Sequence, residues 1–110
     1  MVASQDRPLP AVSLGEVLAT SDVPGGVVNI LTGYTAELAP VLAAHLDVNA
    51  VDATGATDRA LATSLEVDAA ENVKRVRPAP RHEPDWTEPA EPRRILSFCE
   101  IKTVWHPIGV

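Results

Sequence analysis

The chain is poor in several things that would otherwise guide its reading. Among its 110 residues there is one cysteine, Cys99, so no disulfide can close within it. The reading that follows is a reducing compartment, and the cytoplasm is the expected location. There is no charged-then-apolar leader before a cleavage site and no apolar run approaching the roughly 20 residues that span a bilayer, so a soluble chain with no membrane partner is expected. Basic residues are also few. Nine Lys and Arg stand against fifteen Asp and Glu, for a formal net charge of -6. That sign opposes non-specific attraction to nucleic acid and to anionic surfaces, and excludes nucleic acid as an expected partner. Aromatics number four, Tyr34, Trp86, Phe98 and Trp105, so any core must be built from smaller side chains.

What is present suits close packing of helix on sheet. The hydrophobic fraction is 45%, much of it Ala and Val. A compact domain of this length buries roughly 60 to 70% of the surface that its unfolded chain exposes, so the core is modest.

Apolar spacing predicts a helix over 10–20, with Val12, Leu14, Val17 and Leu18 as its stripe. "GVVNIL", residues 26–31, is β-branched, uncharged and preceded by glycine, and reads as a short buried strand. "TAELAPVLAAHL" predicts a second helix with Thr35 as N-cap and Pro40 in or near its first turn, ending at His45. Residues 48–53 read as a second strand. A third helix follows through Thr57 or Asp58 as cap, with Leu61, Leu65, Ala69, Val73 and Val76 as its stripe. The alternation implies an α/β fold: part of a Rossmann-like parallel sheet with crossover helices over residues 1–76. Such a half-sheet with uncovered edges is expected to be only marginally stable.

Beyond Val76 the composition changes. Five of the ten prolines lie in "RPAPRHEPDWTEPAEP", so residues 77–93 read as an extended linker. Residues 94–110 read as a helix-strand tail, with Ile95, Leu96, Phe98 and Cys99 in one or two helical turns. Ile101–Trp105 is its strand and Pro107 the stop.

Several stretches together resemble aldehyde dehydrogenases. "DVPGGVVNILTG" is similar to the family's Leu-Pro-Pro-Gly-Val-Val-Asn segment, matching at Pro24, Gly26, Val27, Val28, Asn29 and Gly33. "ASQDRP" resembles its Lys-Pro-Ser-Glu-x-x-Pro, and "DATGAT" stands in the place of its Phe-Thr-Gly-Ser-Thr turn. "ILSFCEIKTVW" resembles the end of those enzymes, with Lys102, Thr103 and Val104 retained. Family members are several times longer.

The resemblance implies NAD(P)-dependent oxidation of an aldehyde to an acid by a cysteine nucleophile, with a glutamate activating water. It also shows what is replaced. Where the family continues into its Glu-Leu-Gly-Gly motif, this chain reads "VKRVRPAPRHEP", and the nucleophile's Gly-Gln-x-Cys setting is absent. No catalytic residue is therefore assigned. Cys99 has Phe98, Glu100 and Ile101 beside it, which supply no cation to lower a thiol pKa, and is read as a half-buried structural cysteine.

The implied cofactor, NAD or NADP, would be held weakly. Val2 stands where the family has its ribose-binding Lys, and Gln5 where it has Glu. The implied cofactor-binding residues are Gly26 and Val27 beside the adenine pocket, and Thr54, Gly55, Ala56 and Thr57 at the pyrophosphate turn. There the N–H groups of Gly55, Ala56 and Thr57 would face an anion, although the family's serine hydroxyl is gone. Gly25 and Gly26 themselves read as a turn feeding a strand rather than a phosphate cradle.

His45, His82 and His106 lack metal-ligand spacing, so no metal site is expected. Glu66, Asp68 and Glu71 read as the solvated face of the third helix; Lys74, Arg75 and Arg77 suit its C-terminal dipole or an acidic partner. Trp86 and Trp105 are candidate docking anchors.

The implied whole is a truncated family member, non-catalytic alone, that binds NAD(P) weakly or serves as an accessory subunit. Its partner would be a second copy or a complementary aldehyde dehydrogenase subunit, met through Ile101–Trp105. The rival reading is an interaction module that pairs through this strand and binds no nucleotide.

Overall fold

The computed structural model describes residues 1–89 and 91–109. Its elements are α1 (Leu9–Thr20), α2 (Thr35–Ala44), β1 (Ala50–Asp52), α3 (Arg59–Glu71), β2 (Arg75–Arg77) and α4 (Pro92–Leu96). β1 and β2 pair in parallel, Ala50 with Arg75, Val51 with Val76 and Asp52 with Arg77. With α3 as the crossover they form a β-α-β unit, in keeping with an α/β, partly Rossmann-like fold.

The core lies where α2 and α3 meet this sheet. Ala43, Ala53 and Leu65 are its buried centre, with Ala39, Val51, Ala56 and Leu61 packed around them. Alanines let the helices approach closely, and Leu65 alone brings bulk. Asp58 caps α3, its carboxylate accepting from the Ala60 N–H at 3.0 Å.

The end of α3 departs from the predicted stripe. Asn72 is the C-cap and Val73 takes a left-handed φ of 53°. The Lys74 N–H reaches Ala69 O at 3.0 Å and the Val73 N–H reaches Ala70 O at 3.1 Å. This is a Schellman closure with valine where glycine is usual. The helix therefore stops before Val73, which is 90% exposed, and Val76 belongs to β2, a strand that the sequence pattern does not announce. Lys74 Nζ and the Asn72 amide instead donate to His45 O at 2.7 Å and Ala44 O at 3.2 Å, closing the C-terminus of α2.

Further differences lie in the first third. Residues 26–31 form no strand: only Leu31 bridges, in parallel, to Val2. Gly26 has φ 86°, and the Val27 N–H closes a turn onto Pro24 O at 3.3 Å, so the backbone bends where a strand was expected. α1 buries Ala11 alone and leaves Val12, Leu14 and Val17 exposed. In α2, Tyr34 is the N-cap and Thr35 the first helical residue; the Thr35 N–H is met by Gln5 Oε1 at 3.3 Å. Pro40 sits mid-helix, not in the first turn, and leaves one carbonyl without its usual donor.

The C-terminal helical turn is present as α4, but Ile101–Trp105 has no strand partner among the described residues. The radius of gyration, 16.9 Å, exceeds the about 13 Å of a compact chain of this length, in line with the extended tail.

Candidate functional site

β1 delivers its chain into a tight turn at the start of α3, and the candidate residues Thr54, Gly55, Ala56 and Thr57 occupy it. Asp52 organises the entry. Its Oδ1 accepts from the Thr54 N–H at 2.9 Å and also from the Thr54 hydroxyl. Thr54 is buried, and its Oγ1 in turn accepts from Arg77 Nε at 3.2 Å, so the neighbouring strand holds the turn. Asp-x-Thr is a local signature for this arrangement. It recurs at Asp85 and Thr87, where the carboxylate accepts from the Thr87 hydroxyl at 2.6 Å and N–H at 2.9 Å, and both bonds hold the Asp85 pKa below its ordinary value.

The turn's donors are divided. The Ala56 N–H, expected to face an anion, donates instead to Ala53 O at 2.9 Å. The Thr54 N–H is engaged by Asp52. Gly55 and Thr57 are exposed, and their N–H groups make no hydrogen bond among the described residues. A Cβ built on Gly55 meets nothing within 4 Å, and its φ is not left-handed. The fold itself does not need glycine there, whereas close approach of a phosphate would.

Charge near the turn is mixed. Asp52 and Asp58 flank it, and Arg77 and Arg94 counter them, with Arg94 Nη2 3.6 Å from Asp52 Oδ2. A pyrophosphate would meet two free N–H groups and these guanidinium groups, against two carboxylates. The residues present thus match a phosphate group in part of the donor set: the Gly55 and Thr57 N–H groups are unengaged among the described residues, with open space above Gly55. Asp52, Arg77 and Arg94 carry no spacing signal; the Asp-x-Thr pattern marks the first.

The other candidates lie apart. Gly26 and Gly15, Leu18, Val23, Pro24 and Ile30 help line an open cavity of about 310 Å³ between α1 and the Pro24–Val27 turn, and no residue of the 54–57 turn lines it. Val27 does not line it and is 66% exposed. Gln5, at the family's Glu position, is engaged with α2. Cys99 is exposed rather than half-buried; its thiol donates to Ile95 O at 3.4 Å, beyond the C-terminal end of α4. Among the described residues no group of three His, Cys, Asp or Glu is placed to hold a metal, and no helix is long and apolar enough to cross a membrane.

Comparison with known proteins shows a family for residues 2–77. The model of the aldehyde dehydrogenase family matches residues 2–77. A mitochondrial aldehyde dehydrogenase of Leishmania tarentolae is 41% identical over 54 residues, covering 49% of this chain and 11% of that protein. The 5-carboxymethyl-2-hydroxymuconate semialdehyde dehydrogenase of Escherichia coli is 43% identical over 54 residues, 49% of this chain and 12% of its own length. Aldehyde dehydrogenase 9 of Polyandrocarpa misakiensis is 33% identical over 76 residues, 69% of this chain and 33% of its own. The chain thus spans between about a tenth and a third of these relatives. No solved structure matches it.

Proposed function

Because the chain belongs to the aldehyde dehydrogenase family, with residues 2–77 matched, we propose that it carries a weakened nucleotide-binding portion of such an enzyme. It holds NAD or NADP at the Thr54–Thr57 turn and does not oxidise an aldehyde by itself. When bound, the nicotinamide supplies a hydride acceptor. The protein's task is to bind: Gly55 admits the phosphates to the backbone, the Gly55 and Thr57 N–H groups donate, and Arg77 braces Thr54. The observation that carries this reading is Gly55, a glycine with open space above it that the fold does not require.

Catalysis would then need a nucleophile and a base from elsewhere, and a complementary aldehyde dehydrogenase chain or a second copy is the proposed source. The exposed thiol of Cys99 lies outside this turn. The second reading, an interaction module without nucleotide, draws on the 82% and 83% exposure of Ile101 and Trp105, which lie in a tail with no strand partner among the described residues.

Titration of the full chain with NAD and NADP, followed by Trp fluorescence and melting temperature, separates the two. Saturable binding that Gly55→Ala weakens about ten-fold, with the melting temperature of the free chain unchanged, supports the nucleotide reading. A folded chain that shows no response up to millimolar cofactor rejects it and leaves the tail-docking module.

A further inference from the structure

The two faces of the β1–β2 pair are unlike. Val51 and Val76 are register partners on the face turned to α2 and α3, where Val51 joins the core. Side chains alternate along a strand, so Ala50, Asp52, Arg75 and Arg77 share the opposite face. A doubly wound sheet would present apolar side chains there beneath another layer of helices. Here it presents one carboxylate and two guanidinium groups.

The chain's own C-terminal segment contacts this charged face at its two ends. Arg94 of α4 places Nη2 3.6 Å from Asp52 Oδ2, at the C-terminal end of β1. Glu100 Oε1 accepts from Arg75 Nη2 at 3.3 Å, at the N-terminal end of β2. Residues 92–100 therefore run antiparallel to both strands, and each of their two paired charges meets its opposite. The Arg94 guanidinium also lies 5.0 Å from the centre of the Trp86 ring, while Trp86 Nε1 donates to Glu83 at 3.2 Å.

We propose that Pro92–Glu100 is a charge-matched latch on the polar face of the sheet, closed at low ionic strength and released by salt, and that its closed state fixes the start of the apolar tail Ile101–Trp105 at the N-terminal end of β2. The paired side chains keep between 31% and 67% of their surface exposed, so each contact is weak and open to screening. No apolar side chain of α4 is buried, and half-buried Phe98 is the segment's one large apolar side chain partly withdrawn from water. One exposed pair, one part-buried pair and one cation–π contact together bias closed over open by about ten-fold, a balance that salt can tip.

A spin label on Cys99, the chain's one thiol, reads the latch in the full protein. The immobilised fraction is expected to fall at least about three-fold between about 0.02 and about 0.5 M NaCl, with circular dichroism unchanged. Arg94→Gln and Glu100→Gln should each be mobile at both salt levels, and exchanging the charges in Asp52→Arg with Arg94→Asp should restore the immobilised fraction at low salt. Should that swap fail to fold, Arg75→Glu with Glu100→Arg tests the same complementarity at the exposed pair. A label equally mobile at both salt levels overturns the latch, as does an immobilised fraction that survives Arg94→Gln and Glu100→Gln together.

Discussion

Residues 35–77 and residues 1–34 are both rich in Val, Leu and Ala, and they use them differently. In the later region α2, β1, α3 and β2 enclose Ala43, Ala53, Ala62, Leu65 and Ala69. In the earlier region only Ala3 and Ala11 are buried, while Val12, Leu14, Val17, Val23, Val27, Val28 and Leu31 face outward. The contrast comes from closure. A β-α-β unit brings a helix back over its own strands and makes two layers from one stretch of chain. The α1 region has a helix, a turn and a single bridge, with no second layer over its apolar side chains. Composition is the same in kind, and topology decides which residues escape water.

Substitution can break that contrast most directly at Leu65. Leu65→Ala removes the one bulky buried side chain of the core and is expected to cost about 3 kcal/mol, read as the urea midpoint, whereas Val17→Ala on α1 should change it by less than about 0.5 kcal/mol. Equal effects would mean that the earlier region has a packed core of its own. The turns offer a smaller test. Gly26→Ala forces a Cβ into φ 86° and should lose about 1 kcal/mol, while Gly25→Ala, with open space and no left-handed φ, should be near neutral.

The later region carries strain of its own at Val73. Relief of a β-branched residue at φ 53° is worth about 1 to 2 kcal/mol, and glycine's extra chain entropy takes back about half. Val73→Gly should therefore raise stability by about 0.5 kcal/mol, and a loss of stability would show that the valine packs on something. The smallest effect is expected with acid. Asp85 has its pKa lowered by Thr87, so its turn is fully stabilised above the ordinary aspartate pKa of 3.8 and lost as pH falls through the lowered value. Trp86 emission should change in that window with little change in circular dichroism, and Thr87→Ala should move the midpoint upward.

Much of the later region is legible in the chain. The spacing of Leu61, Leu65 and Ala69, the Asp58 cap and the short run around Val51 each specify local structure through contacts within a few residues. β2 is not, because Arg75-Val76-Arg77 shows no β-branched run and Val73 gives no glycine stop; the strand exists only because Val51 is there to pair with Val76. The 26–31 run errs in the other direction. It has the composition of a buried strand, yet Gly26 bends it and the one bridging partner it finds among the described residues is Val2. At the candidate turn, Gly55 stands out in the sequence, while Arg77 reaches Thr54 from 23 residues away and Arg94 reaches Asp52 from 42, and neither carries a local mark.

The sequence by itself determined the three long helices, the strand around Val51, the Asp58 cap, the acidic balance and the family, since these rest on residue types at short spacing. Tertiary structure decided which apolar stripe is covered, where α3 ends, and that Asp52 meets Thr54, Arg77 and Arg94 in one cluster. The reason is range: hydrogen bonds and caps act within a turn, whereas burial and ion pairing depend on chain segments that only folding brings together.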